Sequence, residues 1–432
     1  MNKAKKLFCM LLILTLTPLV CFASAGAQAQ EISGTLEIQY FVGGSGDLAW
    51  KEAIRTFQEK YPNVEVVEYA GSTVNETMKP RWISDNPPDV VYIDGAGSSE
   101  TQMVEDGQLM DLSEWWQTLT LEDGTPLSEA FLVPPSVWDG KVYTLPLIFD
   151  NRGIWYDIAW FEENGWEVPT DYDSWMASME IIRNETGIAP IATTGVYPAV
   201  FMKGVLYPAL ASEGGLDFLM SLIDGEEGAW ASEQTLTVAK RIEAMVTNGY
   251  IDPDFAALTH TEAQMNFLNH LNAYVPVGFW LPQEMAGSIP EDFEFGIIPT
   301  PMNTADSVKA IIPDIHPIGI AAKAKNPEAA KAFVEHLLSV EMANVFAEMN
   351  RVMYNLRDFG LDENPNVPQY LKNASQLISA EDVVMMPLEH AMASELESMV
   401  GNLLVSMLMG DITAEEFCAQ AEESAATYRA NR

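Results

Sequence analysis

The chain is 432 residues long and carries 62 Asp and Glu against 23 Lys and Arg, a formal net charge of −39. A polyanion repels phosphate backbones and anionic lipid, which excludes nucleic-acid or membrane-surface binding through a broad basic face. With 48% apolar and 10% aromatic residues, most of the chain is not disordered, and its length suits two or three domains.

The amino terminus reads as a targeting segment. Lys3, Lys5 and Lys6 precede an apolar run from Leu7 to Val20, and overlapping A-x-A sites follow in Ala23-Ser24-Ala25-Gly26-Ala27-Gln28-Ala29. The run is too short for a membrane span. Residues 1–29 are therefore expected to be a signal peptide, cut after Ala27 or Ala29, and the protein to be exported. Lipid attachment at Cys21 is the competing reading; it is disfavoured because Leu19 and Val20, not small residues, precede the cysteine. Cleavage removes three Lys and no acid, leaving 20 basic and 62 acidic residues and a net charge of −42. It also removes Cys9 and Cys21, so Cys418 has no intramolecular partner and stability must come from the core.

Beyond that segment, Thr35–Val42 alternates like a strand and ends at Gly43-Gly44-Ser45-Gly46-Asp47. Ala49, Trp50, Ile54 and Phe57 then recur at helical spacing from about Leu48 to Tyr61. Val64–Tyr69 is the next strand, a second helix follows, and Pro87 to Gly95 holds an apolar strand closed by a turn. This order argues for a parallel sheet covered on both faces, with ligands at loops leaving the carboxyl ends of its strands. Gly43–Asp47 and Asp94–Ser98 are such loops. The chain is extended over Val142–Asp150 and again over Gly153–Asp157. Helices are expected over about 172–186, 198–224, 232–248 and 260–270, and strands over Ala273–Trp280 and Phe293–Ile298. Residues 308–323 read as strand, 326–350 as one long amphipathic helix, and 366–430 as mostly helical. The N-x-S/T matches at Asn75, Asn184 and Asn373 carry little weight.

Chemical motifs are mostly absent. There is no phosphate-binding G-x-x-x-x-G-K-[ST] loop, no H-E-x-x-H and no D-x-D-x-D-G calcium loop. The five histidines do not pair at metal-ligand spacing, so neither metal nor cofactor is expected. Gly44-Ser45-Gly46-Asp47-Leu48-Ala49 fits the dinucleotide pattern G-x-G-x-x-A, but an exported protein meets little nicotinamide cofactor, and a tight strand-to-helix turn accounts for the glycines. Paired acids such as Asp150 and Glu284 fit glycoside hydrolysis, yet among 62 acids such pairs arise by chance. Trp280 is more telling. It follows Gly278-Phe279 at a strand end and precedes Leu281-Pro282, where an indole would stack on the apolar face of a sugar ring.

Several segments together resemble the extracellular solute-binding proteins of bacterial ABC importers, of the maltose-binding-like sugar type. They include Ala53-Ile54-Arg55-Thr56-Phe57 to Val66, Pro88-Asp89-Val90-Val91, Gly107–Leu112, Gly140–Pro146, Trp155-Tyr156-Asp157, Gly278-Phe279-Trp280, Ala322–Ala330 and Gly410–Glu416. Asn86–Val90 with Asp94–Gly97 is also similar to N-acetylglucosamine and chitobiose binders. The resemblance implies a two-lobed α/β periplasmic-binding-protein fold, each lobe a mainly parallel sheet flanked by helices, with the ligand cleft between lobes. Residues 30–147 and 308–355 would form the first lobe, and 148–307 and 356–432 the second. It implies a monomeric, non-enzymatic receptor in the periplasm or extracytoplasmic space, delivering a mono- or oligosaccharide to permease subunits. Ser45 and Asp94 on one lobe, and Asp150, Tyr197, Trp280 and Glu284 on the other, fall where ligand contacts are expected. The Thr-Trp that follows the second-lobe proline in the family reads Thr170-Asp171-Tyr172 here, which leaves helix packing as the expected role of Trp175. Acids such as Glu395 and Glu397 stand where a C-terminal stacking aromatic would be, which argues against maltose as ligand. A secreted glycoside hydrolase using Asp150 and Glu284 is the alternative.

Overall fold

The computed structural model describes residues 32–304 and 306–431; the expected signal segment, with Cys9 and Cys21, lies outside them. Strands β1 (Gly34–Phe41) and β2 (Val64–Gly71) pair in parallel along their whole length, and β3 (Val90–Tyr92) pairs in parallel on the other side of β1. The helix Leu48–Lys60 joins the first two and buries Ala49, Trp50, Ala53 and Phe57, a stripe at helical period. This is the parallel crossover unit that the alternation of strand and helix implies. Asp89, only 1% exposed, accepts hydrogen bonds from the backbone N–H groups of Glu37, Lys325 and Asn326. One carboxylate thereby ties β1 to the start of β3 and to a helix beginning at Pro327.

Strand β4 (Thr144–Asp157) is a single strand of 14 residues where the sequence reads as two extended pieces. From Arg152 onward it pairs antiparallel with β5 (Val275–Gly278), and from Ile154 with β6 (Phe295–Ile298). Residues 308–323 divide into β7 (Lys309–Ile311) and β8 (Pro313–Ile320), and β8 runs antiparallel between β3 and the first part of β4. The short β9 (Met353–Tyr354) joins β4 at Ile148 and Phe149, and β10 (Val383–Met385) pairs in parallel with β7. The main order is β2-β1-β3-β8-β4-β5. Among the named strands of this sheet, parallel pairing is confined to β1, β2 and β3; everything gathered by β4 is antiparallel.

Two expected helices are broken for identifiable reasons. Over 326–350 there are two, Pro327–Leu337 and Val340–Met349, because Ser339 adopts an extended conformation and caps the second by accepting from the Met342 N–H. Over 198–224 the turn Met202–Leu206 is a π-helix, closed by the Tyr207 N–H donating to the Met202 carbonyl. Pro208 has no N–H to offer the Gly204 carbonyl, which instead accepts from the Thr300 hydroxyl at 2.6 Å. Gly215 interrupts the following helix, Tyr207–Ile223.

Among the described residues two large hydrophobic cores result, with a small third cluster of Val91, Ile93, Met103 and Leu109. One packs Trp50, Phe57, Phe333 and Phe346 around the parallel strands and continues along β4 to Phe279 and Phe295. The other packs Trp175, Tyr207, Trp230 and Phe417 among helices, with Cys418 buried and unbridged. Trp175 is fully buried in the helix Tyr172–Thr186, edge-on to Tyr274 at 6.1 Å, which is a packing role.

Candidate functional site

A cavity of about 610 Å³ lies where the loops after β1 and β3 face β4, β8 and the segment after β5. A second, of about 480 Å³, shares eight lining residues with it, among them Glu100, Arg152, Lys203 and Asp314. The two form one cleft with a charged waist.

Buried asparagines pin both loops. Asn350 donates to the Gly46 carbonyl at 2.9 Å and accepts from the Ala49 N–H at 2.8 Å. Asn75 donates to the carbonyls of Asp94 and Ala96 at 2.8 and 3.1 Å and accepts from Gln39. Asn75 is 6% exposed, so its place in an N-x-T triplet is structural coincidence. Gly95 has φ +77°, and a Cβ there would fall 2.4 Å from the Phe41 ring. A Cβ on Gly44 would lie 2.7 Å from that of Glu284, so the glycine lets the first loop close against the far wall.

The floor is made by β4 and β8. Asp150 and Arg152, two apart, share a face of β4, and Asp314 sits directly opposite Asp150 in the ladder. Asp150 Oδ1 accepts from the N–H groups of Asn151 and Phe279, both at 2.8 Å, while its buried Oδ2 has no hydrogen-bond partner. Burial pushes the Asp150 carboxyl up to about 6, against the pull of His316 and Arg152. Arg152 is ion-paired with Asp314, and burial notwithstanding, the Arg152 and Lys203 charges hold Asp314 well below the usual carboxylate range. His316 is hydrogen-bonded to the Tyr92 hydroxyl at 3.1 Å and lies 3.6 Å from Asp94; burial works to lower it, but Asp94, Asp314 and Asp150 raise it above its ordinary value.

The far wall carries Trp280, half-buried, with the Arg152 guanidinium 5.1 Å from its ring and its indole N–H unpartnered. One turn on, Glu284 accepts from Gln264 at 2.9 Å and lies 2.8 Å from His260 Nε2; these two project from one face of the helix His260–Leu268.

Of the six residues expected from the sequence, Ser45, Asp94, Asp150, Trp280 and Glu284 line the first cavity. Tyr197 does not; it is 53% exposed, its ring edge-on to His260 at 6.4 Å, at the outer side of that wall. Periodicity also missed Arg152, Asp314 and His316, although the i, i+2 alternation from Asp150 points to Arg152 and that from Asp314 to His316. Glu397 lines the cavity and pairs with Lys203 at 3.5 Å, in the region where no stacking aromatic was found. Among the described residues, no group of three or more His, Cys, Asp or Glu side chains could hold a metal ion. Among them too, no helix is long and apolar enough to cross a membrane.

Two cores joined by crossing strands, with a polar, aromatic-walled cleft at the crossing, define a two-lobed binding protein. Residues 43–344 match the family of bacterial extracellular solute-binding proteins, and the chain belongs to it. Among characterised relatives, the diacetylchitobiose binding protein NgcE of Streptomyces coelicolor is 24% identical over 327 residues, covering 73% of this chain and 68% of that protein. The multiple sugar-binding protein of Streptococcus mutans is 23% identical over 363 residues, 81% of each chain. Among solved structures, a chitin oligosaccharide binding protein superposes with a TM-score of 0.74 at 18% identity, covering 91% of this chain and 98% of its own. SBP RafE in complex with raffinose gives 0.68 at 18% identity, covering 90% and 98%. These likenesses show the two-lobed α/β fold.

Proposed function

We propose that the chain is an exported receptor that captures a mono- or oligosaccharide in this cleft and delivers it, chemically unchanged, to the permease of an ABC importer. The observation that carries the reading is that the cavity is lined both by Asp150, whose Oδ2 has no hydrogen-bond partner, and by Trp280, whose indole N–H has none. A sugar offers hydroxyls that donate to the first and accept from the second, and an apolar face for the ring. The sugar-binding relatives named above support it.

In this reading residues 30–147 with 308–355 form one lobe and 148–307 with 356–432 the other. Ser45 and Asp94 meet the ligand from the first, Asp150, Trp280 and Glu284 from the second, and Tyr197 guards the rim. A ligand bridging both lobes favours the closed form because only there are all contacts made, and the permease reads closure. The strong negative charge keeps the processed receptor monomeric and free outside the cytoplasm. A hydrolase would need a free acid pair, whereas Glu284 is held by His260 and Gln264. An amino-acid receptor would need a free cation for the carboxylate, whereas Arg152 and Lys203 are both paired.

A thermal-shift screen of mono- and oligosaccharides, N-acetylated ones included, tests the reading. A binder at a hundredfold excess over its Kd stabilises by about 2.7 kcal/mol. A flat panel would remove the sugar assignment, and release of product from a chromogenic glycoside would favour the hydrolase.

A further inference from the structure

Six carboxylates face the first cavity, Asp94, Glu100, Asp150, Glu284, Asp314 and Glu397, against Arg152 and Lys203. Both cations are already engaged, by Asp314 and Glu397. Four carboxylates remain, with only His260 beside Glu284 and His316 beside Asp94 to offset them. Nor is the excess idle surface charge: Asp150, which lines the cavity, is 4% exposed, and its Oδ2 has no hydrogen-bond partner. A metal ion does not account for it, since among the described residues no cluster could hold one.

Resting on the sugar reading, we infer that the cleft selects by charge: its ligand is a sugar bearing a free amine, whose ammonium donates to Asp150, in preference to the N-acetylated or carboxylated counterpart. An ammonium offers up to three donors and a full positive charge where the wall supplies acceptors and negative charge. An acetamide offers one N–H and no charge. A uronate carboxylate finds Arg152 and Lys203 already paired and meets four further carboxylates, of which only Glu284 and Asp94 have a histidine beside them, a repulsion strengthened by the low local dielectric. Burial also holds the Asp150 carboxyl up at about 6, against the pull of His316 and Arg152, and raises that of Glu100, so an added positive charge favours the ionised form of each.

Calorimetry on the processed chain at pH 7 with three matched disaccharides decides it: glucosamine-based, its di-N-acetylated form, and a glucuronate-bearing one. The amine form is expected to bind about tenfold or more tightly than the acetylated form, equivalent to about 1.4 kcal/mol, with the uronate weakest. Asp150→Asn should bring amine and acetylated forms close to parity, and Asp94→Asn, a second route should Asp150→Asn fold poorly, should narrow the gap in the same direction. Acetylated sugar bound as tightly as the amine, or a preference unmoved in both variants, overturns the charge selection while leaving the sugar reading intact. Absence of binding by all three, with a flat wider panel, removes both.

Discussion

Two histidines, His336 buried and His316 partly so, mark two regions built on opposite electrostatic terms. His336, on the helix Pro327–Leu337, packs behind the parallel strands with its ring 5.9 Å from Phe57 and Nε2 2.9 Å from the Thr56 hydroxyl. Burial, with Lys60 adding to it, pulls it down to about 4, so it sits in the core as a neutral ring. His316, on the cleft floor, is raised instead, because Asp94, Asp314 and Asp150 outweigh burial. The region behind the parallel strands keeps its histidine neutral, while the cleft floor concentrates charge. Such a floor is costly to build without ligand, and that cost is what a ligand of the right polarity relieves.

The strongest way to break the comparison is to remove the cation that holds the floor together. Arg152→Met leaves Asp314 and Asp150 facing each other across the ladder; unpairing a fully buried ion pair destabilises by about 3–5 kcal/mol, and this partly exposed pair is expected toward the lower end of that range. Urea unfolding reads it. Arg152→Met combined with Asp314→Leu should recover most of the loss; a loss under about 1 kcal/mol in the single variant would mean the floor charges are effectively solvated.

Next in size is the pH dependence of the back. Below its ordinary value near 6.5 the unfolded His336 takes up a proton that the folded one, at about 4, resists. Stability is therefore lost as pH falls through this window, by up to about 3 kcal/mol. His336→Gln should flatten that slope. His316 has the reverse sign: its raised value contributes stability that is present at low pH and fades as pH rises through the folded value. Denaturation of the two Gln variants between pH 4 and 8 should thus give difference curves of opposite slope; equal slopes would erase the contrast between the regions.

Trp280→Ala sharpens the comparison from the ligand side. Loss of stacking and burial should weaken sugar binding by about 1–3 kcal/mol in calorimetry, with a smaller effect on unfolding, since the residue is only half-buried. Unchanged affinity would take Trp280 out of the site.

How much of this was legible follows the same division. The parallel unit β1 to β3 and the helix between β1 and β2 were readable because their apolar periods are local. The two loops were readable because glycines cluster after each strand, and Trp280 because it interrupts a strand end. The waist was not. Arg152, Asp314 and Glu397 meet only because β4 and β8 pair side by side and the π turn at Met202–Leu206 carries Lys203 to the wall, and no single-segment pattern encodes such a meeting. Asn75 and Asn350, the residues that fix both loops, carried no such signal: one stood out only as an N-x-T match, the other only as the end of an expected helix. Ser339 likewise looked like one polar position in a continuous amphipathic helix, since apolar residues on both sides keep the period.

That serine supplies the smallest effect and the sharpest link between the regions. Its hydroxyl accepts from the Met342 N–H at 3.2 Å and donates to the His336 carbonyl at 2.8 Å, so it ends one helix and starts the next. Ser339→Ala should cost about 1 kcal/mol in unfolding, as loss of an N-cap does, and Ser339→Asp, which keeps the acceptor, should cost less. The helix it starts ends at Asn350, which pins Gly46 and Ala49 at the cleft. If the two regions are independent, sugar affinity is unchanged in Ser339→Ala. A parallel loss of affinity, measured where the variant is fully folded, would mean that capping at the back positions the loop at the front, and that the helix acts as a rigid strut between them.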